Sequence, residues 1–249
     1  MKKFFTVGGI ALGVLLITAL VILIFFPGLP AYFNVKKEFE HIDDTIPRFE
    51  TVEVPVDYET YTVKGVSFKM PKGAETAGLT GSKYVYGGEV SVMVMESDTY
   101  ADEQVMKEYD PEYDQWQYYD HEEKQFRHFF RTISEPYPDR SEASNDILWF
   151  IKGKLDSKMC LKLRGDDKDI FLELAENKEE AYEAENTYRI NGSGFSGYAS
   201  ESLGTIVADG LWTVNIYPDG GGSKYYFMMI TGDSEEMKMQ AISSIELAK

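Results

Sequence analysis

The segment YVYGGEVSVMVM at 84–95 decides the fold. Tyr84 and Tyr86 alternate up to Gly87-Gly88, a two-residue turn of the kind that closes β-hairpins. Beyond it Val90, Val92 and Val94 mark one face of a strand, and Ser91, Met93 and Met95 mark the other. A strand apolar on both faces is expected to be central and covered on both sides. Upstream, Tyr61 and Val63, then Lys64-Gly65, then Val66, Phe68 and Met70 predict an earlier hairpin, closed by Pro71. Downstream, Asn191-Gly192 and Asp209-Gly210 are turn signals between apolar runs at 187–190, 194–199, 204–208 and 211–217. A looser turn, Pro218 to Gly222, precedes a last run at 224–231. Short turns force neighbouring strands to be antiparallel.

Between the two β-rich parts the spacing becomes helical. Asp120 and Glu123 have capping-box spacing, and Phe126, Phe130 and Ile133 follow at helical intervals. Residues 144–154, opened by Ser144, Asn145 and Asp146, predict a second helix. Met159, Leu161 and Leu163 alternate, so a strand is open at 157–164. Ile170, Phe171, Leu174, Ala175, Ala181 and Tyr182 line one face of a helix over 167–184. Asp233 and Glu236 open a last helix with Met237, Ala241 and Ile245 on one face. The expectation is an α+β domain: one antiparallel sheet of six to eight strands with helices packed on it.

In front of this domain stands FFTVGGIALGVLLITALVILIFF, residues 4–26, without a charge. A helix of that length measures about 34 Å, enough to cross a bilayer. It is longer than the core of a cleaved signal peptide, and Pro30-Ala31 is a poor cleavage motif, so a retained signal-anchor is expected. Lys2 and Lys3 place the N-terminus inside. The expected organisation is a cytoplasmic stub at 1–3, a single-pass transmembrane helix at 4–26, a stalk at 27–57 and an extracellular α+β domain at 58–249. The expected location is the cell membrane, with residues 4–26 as the membrane contact.

The chain carries −17, and its first 34 residues hold Lys2, Lys3 and no acid. Such a surface repels nucleic acid and suits a cationic ligand or a basic protein partner. The single Cys160 excludes an intramolecular disulfide and reads as a small buried residue.

No motif for a metal, a cofactor or catalysis completes itself. His121-Glu122-Glu123-Lys124-Gln125 starts like a zinc-protease helix but lacks the second histidine. Gly194-Phe195-Ser196-Gly197-Tyr198 lacks the last glycine of a nucleophile elbow. Asp166, Asp167 and Asp169 lack the spacing of a calcium loop and suit a helix N-terminus. The one stretch odd as plain structure is YDPEYDQWQYY at 109–119. Its aromatics Tyr113, Trp116, Tyr118 and Tyr119 stand among carboxylates, a composition that suits sugar rings or cationic peptides. These four are the candidate binding residues.

VSFKMPKG at 66–73 and AISSIEL at 241–247 resemble the opening strand and the closing element of PsbP-like domains. That resemblance implies an αβα sandwich used for binding and carries over no catalytic residue. The helical insert at about 100–185 is longer than the family pattern. The reading that follows is a membrane-anchored, extracytoplasmic binding or interaction domain without cofactor. The alternative is an envelope hydrolase using paired carboxylates, and a third reading is a structural subunit of a membrane assembly.

Overall fold

The computed structural model describes residues 16–18, 20–22, 24–79, 82–109, 121–139, 141–204 and 210–248, with the backbone alone at 79, 82, 83 and 109. It is α+β with antiparallel sheets. The chain divides into two compact units. Unit 1 takes the described residues of Met1–Asp44, Asp114–Tyr137 and Leu155–Glu179. Unit 2 takes those of Thr45–Tyr113, Pro138–Lys154 and Glu180–Lys249.

Unit 2 holds both sheets. Strands β1 (Glu59–Val63) and β2 (Val66–Met70) form the expected hairpin around Lys64-Gly65, and β10 (Glu246–Leu247) adds to β2. The two segments that carry the PsbP-like likeness therefore meet in one small sheet, Leu247 opposite Val66. The larger sheet has seven strands, ordered β3 (Glu75–Leu79), β4 (Ser82–Gly87), β5 (Val90–Asp98), β9 (Lys224–Gly232), β8 (Trp212–Pro218), β7 (Phe195–Ser202) and β6 (Glu185–Gly192). It is two meanders, β3–β5 and β6–β9, joined along β5 and β9. The expected single sheet is thus two. The turn between β6 and β7 is not Asn191-Gly192. Gly192 pairs with Phe195, which leaves Ser193-Gly194 as the two-residue loop, with Gly194 at φ +83°. Strands β7 and β8 are direct neighbours; of the expected run at 204–208, residues 205–208 lie outside the described ones.

One face of the large sheet is the core. Val85, Val92, Val94, Val214, Ile216, Met228 and Ile230 are fully buried there with Val66, Phe68 and Met70 of the small sheet and Ala241 of the last helix. Phe49 closes that core at the β6 side, edge-on to Tyr188 and Trp212 at 6.1 and 5.9 Å. Its segment is held by main-chain bonds: Arg189 N–H donates to Pro47 O at 2.7 Å, and Phe49 N–H donates to Arg189 O at 2.8 Å. The other helices of this unit are α2 (Thr99–Tyr109), α4 (Ile147–Gly153) and α6 (Glu235–Ser243). Asp146 caps α4 by accepting from Leu148 N–H, and Ser234 caps α6 by accepting from Met237 N–H.

Unit 1 is helical. It contains α1 (Leu29–Glu38), α3 (Glu123–Ile133) and most of α5 (Asp167–Ala184). Helix α3 is capped by Glu122 and Gln125: Glu122 N–H donates to Gln125 Oε1 at 2.7 Å, while Asp120 of the expected box lies outside the described residues. Residues 157–162 form a 3₁₀ turn, which settles against the strand left open there. On α5 the buried row includes Lys178 besides Ile170, Phe171, Leu174 and Ala175, while the expected Ala181 and Tyr182 are half-buried. Its ammonium donates to the carbonyls of Ile42 at 3.0 Å, Asp44 at 2.7 Å and Leu155 at 2.7 Å.

The membrane-spanning helix over 4–26 is corrected. Among the described residues no helix is long and apolar enough to cross a membrane, so the single-pass and signal-anchor readings are not retained. Residues 1–15, 19 and 23 lie outside the described ones. The described helical positions of that stretch are 16–18, 20–22, 24 and 25. The chain there is also held by polar partners within unit 1. The Arg164 guanidinium donates to Ile24 O at 3.1 Å, and Gly28 N–H donates to Leu161 O at 3.2 Å. Gly28 lies so close to Cys160 that a Cβ would sit 1.6 Å from its carbonyl oxygen. Hydrophobicity read along one segment cannot reveal such partners, more than 130 residues away.

Candidate functional site

The second face of the seven-stranded sheet carries the candidate site, all of it within unit 2. Two register rows define it. One runs Tyr84, Met93, Met229, Thr213, Ser200, Thr187 across six strands. The next runs Met95, Phe227, Asn215, Tyr198, Arg189 across five. Each row runs from methionine on β5 to a polar residue on β6, Thr187 in the first and Arg189 in the second. Ser91 and Thr231 also lie on this face, joined by a 2.8 Å hydrogen bond between their hydroxyls. Tyr84 and Tyr86 stack 6.0 Å apart on β4, and Tyr86 is 44% exposed.

Met93, Met95, Phe227 and Met229 are half-buried, while their strand neighbours Val92, Val94, Met228 and Ile230 on the opposite face are fully buried. Strand β5 is interior, as its sequence predicts, but the core covers it on one face only. Methionine is what distinguishes the open face. It is flexible and polarisable, and it adapts to irregular apolar partners.

The β6–β8 side of the face is organised by α4. Trp149 stacks on Tyr198 at 4.0 Å and donates its indole N–H to Tyr217 OH at 2.6 Å. Burial raises the Tyr217 and Tyr198 hydroxyls above the usual tyrosine range, so both stay neutral donors. Beside them the buried Lys152 ammonium donates to Glu185 Oε1 and to Thr187 Oγ1. Thr187 Oγ1 is 2.8 Å from Ser200 Oγ. Burial pulls the Lys152 pKa down, and the Glu185 carboxylate opposes that shift. A lysine paired with a carboxylate stays charged and is a poor general base. The chain Glu185–Lys152–Thr187–Ser200 therefore fixes α4 on the sheet and sets the position of the Trp149 ring.

The sequence-based candidates Tyr113, Trp116, Tyr118 and Tyr119 lie outside the described residues. The three histidines have separate partners: His41 with Asp44 at 2.8 Å, His121 with Glu173 at 3.6 Å and His128 with Asp167 at 3.0 Å. Among the described residues no three His, Cys, Asp or Glu side chains come together as a metal site. Asp167 and Asp169 stand in the first turn of α5, as expected from the helix dipole. Cys160 is buried, and burial pushes its thiol up to about 12, which leaves it unreactive. Glycines 220 and 222 have positive φ in the turn before β9.

The half-exposed face is not evident in the sequence, because VSVMVM reads as apolar on both sides. The usable signal was the kind of apolar residue: β-branched valine on the buried face, serine and methionine on the other. No protein-family model matches this chain, and no curated protein matches it.

Proposed function

We propose that the chain is a binding domain whose ligand lies on the second face of the seven-stranded sheet, across Tyr84, Tyr86, Met93, Met95, Phe227 and Met229. The observation that carries this reading is the contrast between the two faces of one sheet, sealed on one side and half-open with methionine and aromatic rings on the other. Met-rich surfaces suit peptide side chains of varied shape. The ordered Trp149–Tyr198–Tyr217 cluster supplies a rigid aromatic boundary at low entropy cost. A hydrolase working through paired carboxylates needs two acids held close in a dry cleft. Among the described residues the buried Asp167 is bonded to His128 and Thr132, and the buried Oε2 of Glu173 lies 3.6 Å from His121, so each is tied to a histidine, which supports binding over hydrolysis.

The test labels methionine methyl groups with carbon-13 and adds cationic peptides and oligosaccharides in turn. Ligand should shift the Met93, Met95 and Met229 signals and leave Met228 in place. Unfolding of Met93→Ala and Met229→Ala provides the second arm. Open-face residues should lose less than about 1 kcal/mol, whereas core methionines lose about 2–5 kcal/mol. Losses in the core range together with unmoved methyl signals would overturn the reading.

A further inference from the structure

The two edges of the seven-stranded sheet are treated differently. At β6 the chain supplies its own closing segment: Arg48 bridges Arg189 in parallel, flanked by the two main-chain bonds of Pro47 and Phe49, and Phe49 anchors the segment in the core. At the other edge β3 pairs with β4 alone among the described residues. Glu75, Thr76, Ala77 and Gly78 are all exposed. The strand has no proline, no lysine and no bulge in its pairing with β4, and its one charge is Glu75.

We propose that β3 is a docking edge for an extended, basic segment of a partner protein, which adds to the sheet as an eighth strand. This deepens the reading of the open face, because alternate side chains of the added strand would extend it past β3. Main-chain bonds supply the affinity in this mode, and alternate side chains supply the choice of partner. The register fixes which side chains matter. Glu75 pairs with Tyr86 and Ala77 with Tyr84, so both β3 residues share the open face with the two stacked tyrosines. A residue of the added strand opposite Glu75 meets a carboxylate, so arginine or lysine suits it. The added strand runs parallel to β3, as Arg48 does to Arg189 at the other edge; the residue two further on then stands opposite Ala77, whose single methyl leaves room for a large apolar side chain to reach Tyr84. The recognised pattern is basic-x-apolar. The net charge of −17 favours the same sign of partner and opposes a second copy of this chain at the edge. Cross-strand charge and aromatic pairs of this kind are the unit of selectivity in sheets.

The experiment measures fluorescence anisotropy of the labelled peptide Thr-Arg-Thr-Phe-Thr-Val against the full chain, beside the peptide with glutamate in place of arginine. The arginine peptide should bind at least tenfold more tightly. Glu75→Arg should reverse that order, a result that a merely structural role for Glu75 would not give. Successive N–H groups of a strand point to opposite edges, so one of Thr76→Pro and Ala77→Pro removes only an outward donor. That variant should keep its fold and lose the peptide at least tenfold. Equal affinity for both peptides, no reversal in Glu75→Arg, or dimerisation through β3 would overturn the proposal. If the peptide still shifts the Met93 and Met229 methyls while β3 variants bind normally, the edge proposal fails and the open-face reading stands. If β3 variants lose the peptide and those methyls never move, the edge stands without the face.

Discussion

Lys178 shows how one residue writes itself into the pH profile. Burial lowers its pKa to about 8, with the carboxylates of Asp44 and Asp43 opposing the shift only in part. The unfolded value is 10.5. Between these values the unfolded chain holds more protons than the folded one, so this group makes stability rise with pH across the window. Below about pH 8 the cost of the buried charge is present in full. Lys178→Met should therefore lack the rise that the parent protein shows between pH 8 and 10.5, as measured by urea unfolding at several pH values. Parallel curves would show that Lys178 is not the source. The same variant leaves three buried carbonyls without their donor, which costs about 1–3 kcal/mol for each one that water cannot reach. None of this is legible in the sequence, where Lys178 is one lysine among acids on a helix of evident amphipathicity. The burial of Cys160 is legible, because a lone cysteine in a domain large enough to need no disulfide is most simply a small core residue.

Among the elements, those whose signal is local are the ones the sequence discloses. The hairpin β1–β2 follows from Lys64-Gly65 beside alternating residues, and α5 follows from its apolar period; the β4–β5 hairpin is legible too, but its loop is Gly88-Glu89, since Gly87 pairs with Val90. The segment around Phe49 has no period and no turn signal. It reads as a stalk, yet it carries Ile46 and Phe49 into two hydrophobic clusters of unit 2. The short strands β3 and β10 are likewise silent, since Glu75–Leu79 and Glu246–Leu247 become strands only through their partners. The clearest element-scale prediction concerns the segment that closes β6. Phe49→Ala should cost about 3–5 kcal/mol, because it empties a site between Tyr188 and Trp212 and frees the main-chain bonds at Arg189. Hydrogen exchange at Arg189 should quicken with it. A loss near zero would mean that the segment only rests on the edge.

At the scale of the whole molecule the chain passes between its two units at five places, so no single cut isolates either one. A boundary drawn from composition alone, at Tyr58, would remove Phe49 and Ile46 from unit 2 and Ile42, Asp43 and Asp44 from unit 1. What the entire chain contributes to binding is its field. A net charge of −17 at a sequence pI of 4.6 attracts cations toward every face, whichever surface finally holds them. Raising the salt from 10 to 100 mM shortens the screening length from about 30 to about 10 Å, less than the width of a domain. The association rate of the arginine peptide should then fall by about tenfold, while that of the glutamate peptide rises. Dissociation should change far less, because the contacts at the surface are short-ranged. Stopped-flow anisotropy separates the two rates. If both peptides associate at rates that salt leaves unchanged, the charge serves solubility alone, and selectivity rests on the local contacts at Glu75 and Ala77.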